Sequence, residues 1–278
     1  MEFGDYRVEI VPDTEFWLDG GAMFGVVPRV LWSHVCPPDE QNRIRLNMNC
    51  LFIEAGRERI LIDTGIGEKW TEHQAAMYGI NRIRPFADSL RETTGVGPAE
   101  ITIVVNTHLH FDHAGGNTKW DAKGQAVPAF PNARYLVARD EIDHAESPSE
   151  RDRASYLPEN WRPLEEAGQL EIRDGDFEVV PGLRMETHTG HNRSMRCPKL
   201  QVNDRTLFGF ADIVPMRAHL GLPWIMGYDL FPVETLESKK RLLPQAARDQ
   251  WVCLFYHDPE VPLARVMDHG GRYSAVAV

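Results

Sequence analysis

The chain has 278 residues, 42% hydrophobic and 26% charged, enough apolar content for one sizeable core in a single domain spanning 1–278. A formal net charge of −11 sets the surface against phosphate backbones, so nucleic acid is disfavoured and a small molecule is the expected partner. No run approaches the roughly 18 apolar residues of a membrane span. The segment "MEFGDYRVEI" carries acids where a secretory leader needs an apolar stretch, so a cytoplasmic protein without a membrane partner is expected.

In chain order, "YRVEIVP" (6–12) reads as a strand, and "LNMNCLFIEAG" and "RERILIDTG" (46–65) as a hairpin turning at the polar "GRER". The apolar stretch "EKWTEHQAAMYGINR" (68–82) is compatible with a lid, a dimer contact or core cover. "PFADSLRETTG" (85–95) has helical spacing and a glycine stop. "EITIVVN" (100–106) is a continuous apolar run, as in a strand covered on both faces. "ARYLVA" (133–138) and "RDEIDHAES" (139–147) follow as strand and helix, before an irregular excursion over 145–165 with Pro148, Pro158 and Pro163. Residues 170–191 give two or three strands, and "QVNDRTLFGFADIVP" (201–215) a hairpin that ends at an aspartate. "VETLESKKRLLPQAARDQ" (233–250) is a helix with Pro244 as an expected kink, and "WVCLFYHDPE" (251–260) is a buried strand that ends in histidine. Helices alternate with strands, yet neighbouring strands also pair as hairpins, so sheets faced by helices are expected rather than one parallel sheet.

Four cysteines, Cys36, Cys50, Cys197 and Cys253, show no CxxC spacing and read as free thiols. The chemistry gathers elsewhere. Four loops begin where an apolar strand stops and present metal-type ligands: "THLHFDH" (107–113), "THTGH" (187–191), "GFAD" (209–212) and "FYHD" (255–258). In extended chain His108 and His110 point the same way and can grip one ion. Asp112 and His113 follow at a turn and can face a second, while Ala114, Gly115 and Gly116 let the backbone pass close to the metals and open a helix. Seven ligands overfill one ion and suit two: His108, His110 and His191 on the first, Asp112, His113 and His257 on the second, with Asp212 bridging. Imidazoles mixed with carboxylates favour zinc, with iron, manganese or nickel as alternatives, over copper(I) or calcium. Two such ions share a hydroxide and polarise a substrate oxygen together.

"HLHFDH" resembles the HxHxDH signature of the metallo-β-lactamase superfamily, and "LIDTG" (61–65), His191, Asp212 and His257 follow in that superfamily's order. The resemblance spans roughly residues 43–260. It implies an α+β fold, a four-layer αββα sandwich with a dinuclear site at the sheet edges, and a bracing role for Asp63. Aspartate at position 212, where the zinc β-lactamases carry cysteine, points to the hydrolase branches. "HLHFDHAGG", "GYDLFP" and "YHDP" are most similar to the quorum-quenching lactonase-like group. Those lactonases carry a tyrosine three residues after the bridging aspartate, and this chain has Pro215 there. Tyr228 is the candidate replacement.

The reading is therefore a dinuclear metallohydrolase in which a bridging hydroxide opens a lactone or ester, an N-acyl homoserine lactone being one candidate. Asp112 is expected to move the proton from that hydroxide's water to the leaving group. The alternatives are a phosphotriester or phosphodiester hydrolase, then a glyoxalase II-like thioesterase, which would be expected to carry basic residues in a C-terminal helical region, then a di-iron redox protein. No G-x-S-x-G occurs, which argues against covalent serine catalysis. His188 reads as a loop residue beside His191, and His34, His73, His144 and His269 as solvated or structural. His219 and Trp224, with Tyr228, are expected to wall a substrate pocket. A homodimer is compatible with the sequence.

Overall fold

The computed structural model describes all of residues 1–278. Two seven-stranded sheets divide the chain between them. The first runs Glu2–Phe3, Tyr6–Asp19, Arg43–Ala55, Glu58–Ile62, Ile103–Val105, Arg134–Ala138 and Leu170–Arg173 in spatial order. The second runs Phe177–Val180, Leu183–Thr187, Arg196–Val202, Arg205–Gly209, Val252–Leu254, Leu263–Asp268 and Tyr273–Ala277. Each sheet opens as an antiparallel meander and then adds parallel neighbours: Glu58–Ile62 beside Ile103–Val105 in the first, Arg205–Gly209 beside Val252–Leu254 in the second.

Alternation along the strands assembles the layers. Leu207, Val252 and Leu254 join the core between the sheets, whereas Phe208, Cys253 and Phe255, one residue out of phase, pack with Leu242, Leu243 and Ala246 of the helix Pro232–Arg248. On the first sheet Leu136 joins the shared core while Val137, one residue on, meets Ile142 and Ala145 of the helix Arg139–Glu146. Helix, sheet, sheet, helix is the αββα sandwich. The helix Phe86–Thr94 ends at Gly95 in a left-handed conformation, φ 77°, as its glycine stop requires.

Some local expectations change. The first strand continues to Asp19, with a bulge between Pro12 and Glu15. Residues Glu72–Met77 form a short helix closed by a Thr71–Gln74 capping box. The helix Pro232–Arg248 runs past Pro244, the expected kink, to its end at Arg248. No helix is long and apolar enough to cross a membrane.

Candidate metal centre

All four ligand-bearing loops open on one edge of the paired sheets, because each follows a strand: Ile103–Val105, Leu183–Thr187, Arg205–Gly209 and Val252–Leu254. Asp63 sits just past Glu58–Ile62 at φ 58°, and Ala211, before Asp212, at φ 44°. Both are left-handed conformations costly for residues with a Cβ, and both aim the carboxylate beside them or their own inward.

Hydrogen bonds at the far nitrogens fix the imidazole tautomers. Asp63 Oδ2 accepts from His113 Nδ1 at 2.9 Å and from Thr107 Oγ1 at 2.8 Å. With its proton committed to Asp63, the Thr107 hydroxyl accepts from His108 Nδ1 at 3.1 Å. His257 Nδ1 donates to the Asn47 carbonyl at 3.1 Å, and His191 Nδ1 to Asp229 Oδ1 at 3.0 Å. Every one of these rings therefore turns its Nε2 inward. His110 instead turns Nδ1 toward His191 Nε2, 3.0 Å away.

The seven expected ligands come together in overlapping groups: His108, His110 and His191; His108, His113 and Asp212; Asp112, His113 and His257. All seven are buried. Asp212 stands between the groups with its carboxylate split. Oδ1 lies 3.1 Å from His257 Nε2 and 3.2 Å from His113 Nε2, while Oδ2 lies 3.4 Å from His191 Nε2 and 3.9 Å from His108 Nε2. Asp112 Oδ2 is 3.7 Å from His257 Nε2.

This cluster is poorly satisfied by protein alone. His108 Nε2 is buried with no hydrogen-bond partner, a costly position for a polar atom unless something else meets it. Burial first, then His113 and His110, hold His108 neutral well below the ordinary imidazole range. Burial and His191 do the same to His110. Against its burial, His113 is raised well above that range by Asp212, Asp63 and Asp112. Against its own burial, Asp212 is lowered well below the usual carboxylate range by His113, His257 and His191. Imidazole nitrogens converging on ionised carboxylates are the donor set that divalent zinc-like ions take, an ion standing where His113 would otherwise hold a proton, and these overlapping groups fit such ions.

The glycines after the cluster act differently from expectation. The α-helical turn Phe111–Ala114 lies ahead of them, and they open only a single 3-10 turn, Gly115–Asn117. An added Cβ at Gly116 would lie 2.1 Å from the Thr64 carbonyl, and at Gly115 2.2 Å from that of Ile66. They let the loop close against the Asp63 turn rather than against the ions. That contact registers Asp63 on His113.

A cavity of about 200 Å³ opens over the cluster. His110, Asp112, His191, Asp212 and His257 line its floor, and Leu18, Met23, Leu46, Phe111 and Met226 its apolar side. Arg151 and Ser155, from the irregular excursion, and Tyr78 and Tyr228 complete the wall. Of the three wall residues expected from sequence, only Tyr228 lines this cavity. His219 lies behind it, fully buried, its Nε2 donating to the Met23 carbonyl at 2.8 Å and its ring stacked on Phe24 at 4.6 Å. Trp224 packs edge-on against Phe24 at 5.6 Å. His219 thus supports the Met23 backbone, and Trp224 joins it in the ring cluster around Phe24. Pro215 contributes its backbone, accepting the His257 N–H at 2.9 Å.

His188 stays outside the cluster against Phe208, with neither ring nitrogen bonded. His34, His73 and His269 are exposed, and His144 bonds Asp152 at 2.6 Å. Sequence reasoning missed two buried acids. Glu141 accepts from Leu109 N at 2.7 Å and from Asn192 Nδ2 at 3.2 Å, and also takes the Ser194 hydroxyl, so it ties the His108–His110 loop to the His191 loop. In sequence it looks like an ordinary first-turn acid of a helix. Asp229 hides in the quoted "GYDLFP", where only the adjacent Tyr228 carries an obvious signal.

Residues 44–257 match the family model described as the metallo-beta-lactamase superfamily. The chain is 26% identical over 238 residues to the N-acyl homoserine lactonase AiiA of Bacillus thuringiensis subsp. kurstaki, covering 78% of this chain and 83% of that protein. It is 25% identical over 240 residues to the N-acyl homoserine lactonase of Bacillus cereus, covering 79% and 84%. Among solved structures it resembles a probable metal-dependent hydrolase from Staphylococcus aureus, with TM-score 0.90, 30% identity and coverage of 100% and 99%. The fold is shared with AidC, a dizinc quorum-quenching lactonase, at TM-score 0.81 and 19% identity, covering 100% and 96%. With the matched segment running from the first central strand through the last ligand-bearing loop, the chain belongs to the metallo-β-lactamase superfamily and is one of its hydrolases.

Proposed function

We propose that the protein is a two-metal hydrolase that opens a lactone or ester ring or bond, with N-acyl homoserine lactones the leading substrate class. The observation that carries this reading is the divided carboxylate of Asp212, one oxygen toward His113 and His257 and the other toward His108 and His191, at the floor of a half-apolar cavity. When bound, two divalent ions of the zinc kind polarise a carbonyl oxygen and bring water's pKa toward neutrality. His108, His110 and His191 would hold one, and Asp112, His113 and His257 the other, with Asp212 shared.

The chain's own groups then do the rest. Asp63, Asn47 and Thr107 keep the imidazole rings in the tautomer that presents Nε2. Leu18, Met23, Leu46 and Met226 offer an apolar wall for an acyl chain and exclude water from it. Asp112 faces the cavity and, as general base and acid, takes the proton of the attacking water on a carboxylate oxygen and hands it to the departing alkoxide. Tyr228 lines the same cavity and is our candidate to donate its hydroxyl to the lactone in place of the tyrosine absent at position 215. Curated relatives named N-acyl homoserine lactonases support this substrate class over phosphoesters. The test is a substrate panel on zinc-loaded protein: an N-acyl homoserine lactone, an aryl phosphotriester and a glutathione thioester. A kcat/KM for the lactone at least 100-fold above the other two is expected. A phosphotriester preference would replace the lactonase reading.

A further inference from the structure

We infer that Asp229 is a positioning residue for His191, and so for the metal site that His191 shares with His108 and His110. The inference rests on the two-metal reading above. Asp229 is buried, 1% exposed, and both carboxylate oxygens are used. Oδ1 accepts from His191 Nδ1 at 3.0 Å, and Oδ2 accepts from Thr235 Oγ1 at 2.6 Å. Thr235 stands in the first turn of the long helix Pro232–Arg248, a rigid element, and is itself buried.

This unit repeats one already present on the other side of the cluster. There Asp63 accepts from His113 Nδ1 and from the Thr107 hydroxyl. An Asp–Thr pair thus stands behind one histidine of each proposed site, the first supplied by the first sheet and the second by the loop and helix after the second sheet's Arg205–Gly209 strand. The carboxylate holds the proton on Nδ1 and so turns Nε2 toward the cluster.

Backbone contacts reinforce the placement. Leu230 N donates to the His191 carbonyl and Phe231 N to the Gly190 carbonyl, both at 2.9 Å. An added Cβ at Gly190 would lie 2.5 Å from the Thr235 Cα, so the His191 loop must sit directly on the helix start. Consecutive residues of the turn have opposite duties: Tyr228 lines the cavity, and Asp229 turns behind it to His191. Arg151 donates to the Gly227 carbonyl and joins the excursion to the same segment. The substrate wall and the metal ligand are therefore held as one piece.

The test is cobalt(II) titration of metal-free wild type, Asp229→Ala, Asp229→Asn and Thr235→Val, read by metal per chain and visible absorption, with imidazole 1H–15N correlation spectra of the metal-free proteins. In the wild type His191 is expected as the Nδ1–H tautomer, and two cobalt ions bind. In Asp229→Ala that tautomer is lost, and one of the two ions binds 10–100-fold more weakly with an altered spectrum. Asp229→Asn retains an acceptor oxygen and recovers most of the affinity. Wild-type affinity, spectrum and tautomer in Asp229→Ala would overturn the inference. Should that variant fail to fold, Thr235→Val decides: a several-fold weakening of the same ion supports the inference, and no change overturns it. A wild type that takes up one ion only would instead overturn the two-metal reading. Asp229 is then judged on that single ion, where unchanged binding in Asp229→Ala counts against it.

Discussion

The Nε2 atoms of His113 and His257 lie 3.2 Å apart, and the Nδ1 of each is already bound, to Asp63 and to the Asn47 carbonyl. Two imidazole nitrogens held that close need a proton or a metal cation between them, and the charge of Asp212 and Asp112 beside them favours a positive charge there.

Chelation should therefore cost stability as well as activity. With metal present at about 1,000 times its dissociation constant, binding adds roughly 4 kcal/mol to the folded state. For a chain of this size that corresponds to a fall in Tm on the order of 10 °C when the metal is stripped. Calorimetry with and without chelator checks it, and equal Tm values would count against a metal site here.

Tyr228→Phe isolates the hydroxyl of a residue that lines the same cavity as Asp112. A donor that meets the lactone oxygen in the transition state is worth roughly 1.4–2.7 kcal/mol, so kcat/KM should fall by about 10–100-fold with the fold intact. Steady-state kinetics on one lactone decides it. An unchanged rate would remove Tyr228 from the mechanism and leave position 215 without a substitute.

Glu141 is expected to matter more than its helix position suggests. Burial raises its carboxyl pKa, yet it holds Leu109 N–H, Asn192 and the Ser194 hydroxyl. Glu141→Ala leaves these partners buried and unmet and should cost about 2–4 kcal/mol in urea unfolding, with Glu141→Gln costing less. A loss below about 0.5 kcal/mol would show that the tie is dispensable.

His219 gives the protein a specific weakness to acid. Burial lowers its pKa from 6.5 to about 3 in the folded state. Between those values the unfolded chain binds a proton that the folded chain does not, so stability falls as pH drops, by at most about 1.4 kcal/mol per pH unit from this group. Above pH 6.5 it adds no slope. His219→Leu should lose about 1 kcal/mol at neutral pH, through the bond to Met23, and then decline less steeply toward pH 4. Parallel unfolding curves over that range would contradict the assignment.

Much of the fold and the ligand cluster was legible because both depend on short-range rules. Alternation in "RTLFGF" separates the two faces of a sheet, and strand ends carry their ligands in adjacent residues. What was not legible depends on partners distant in sequence. Asp229 means little until helix Pro232–Arg248 brings Thr235 to it and the fold brings His191, 38 residues away. Glu141 depends on contacts 32 to 53 residues distant. His219 and Trp224 were read as wall residues because an aromatic loop after a ligand suits a pocket, yet Phe24, far upstream, draws both beneath it. Tyr78 and Arg151 reach the cavity from segments whose path no periodicity announces.

The most direct measurement follows acid release by pH-stat from a long-chain N-acyl homoserine lactone, comparing zinc-loaded wild type with zinc-loaded Asp112→Asn. The account predicts rapid ring opening by the wild type and a loss of at least 100-fold in the variant at equal fold content. No opening by wild type with two ions bound, or equal rates in the two proteins, would contradict it.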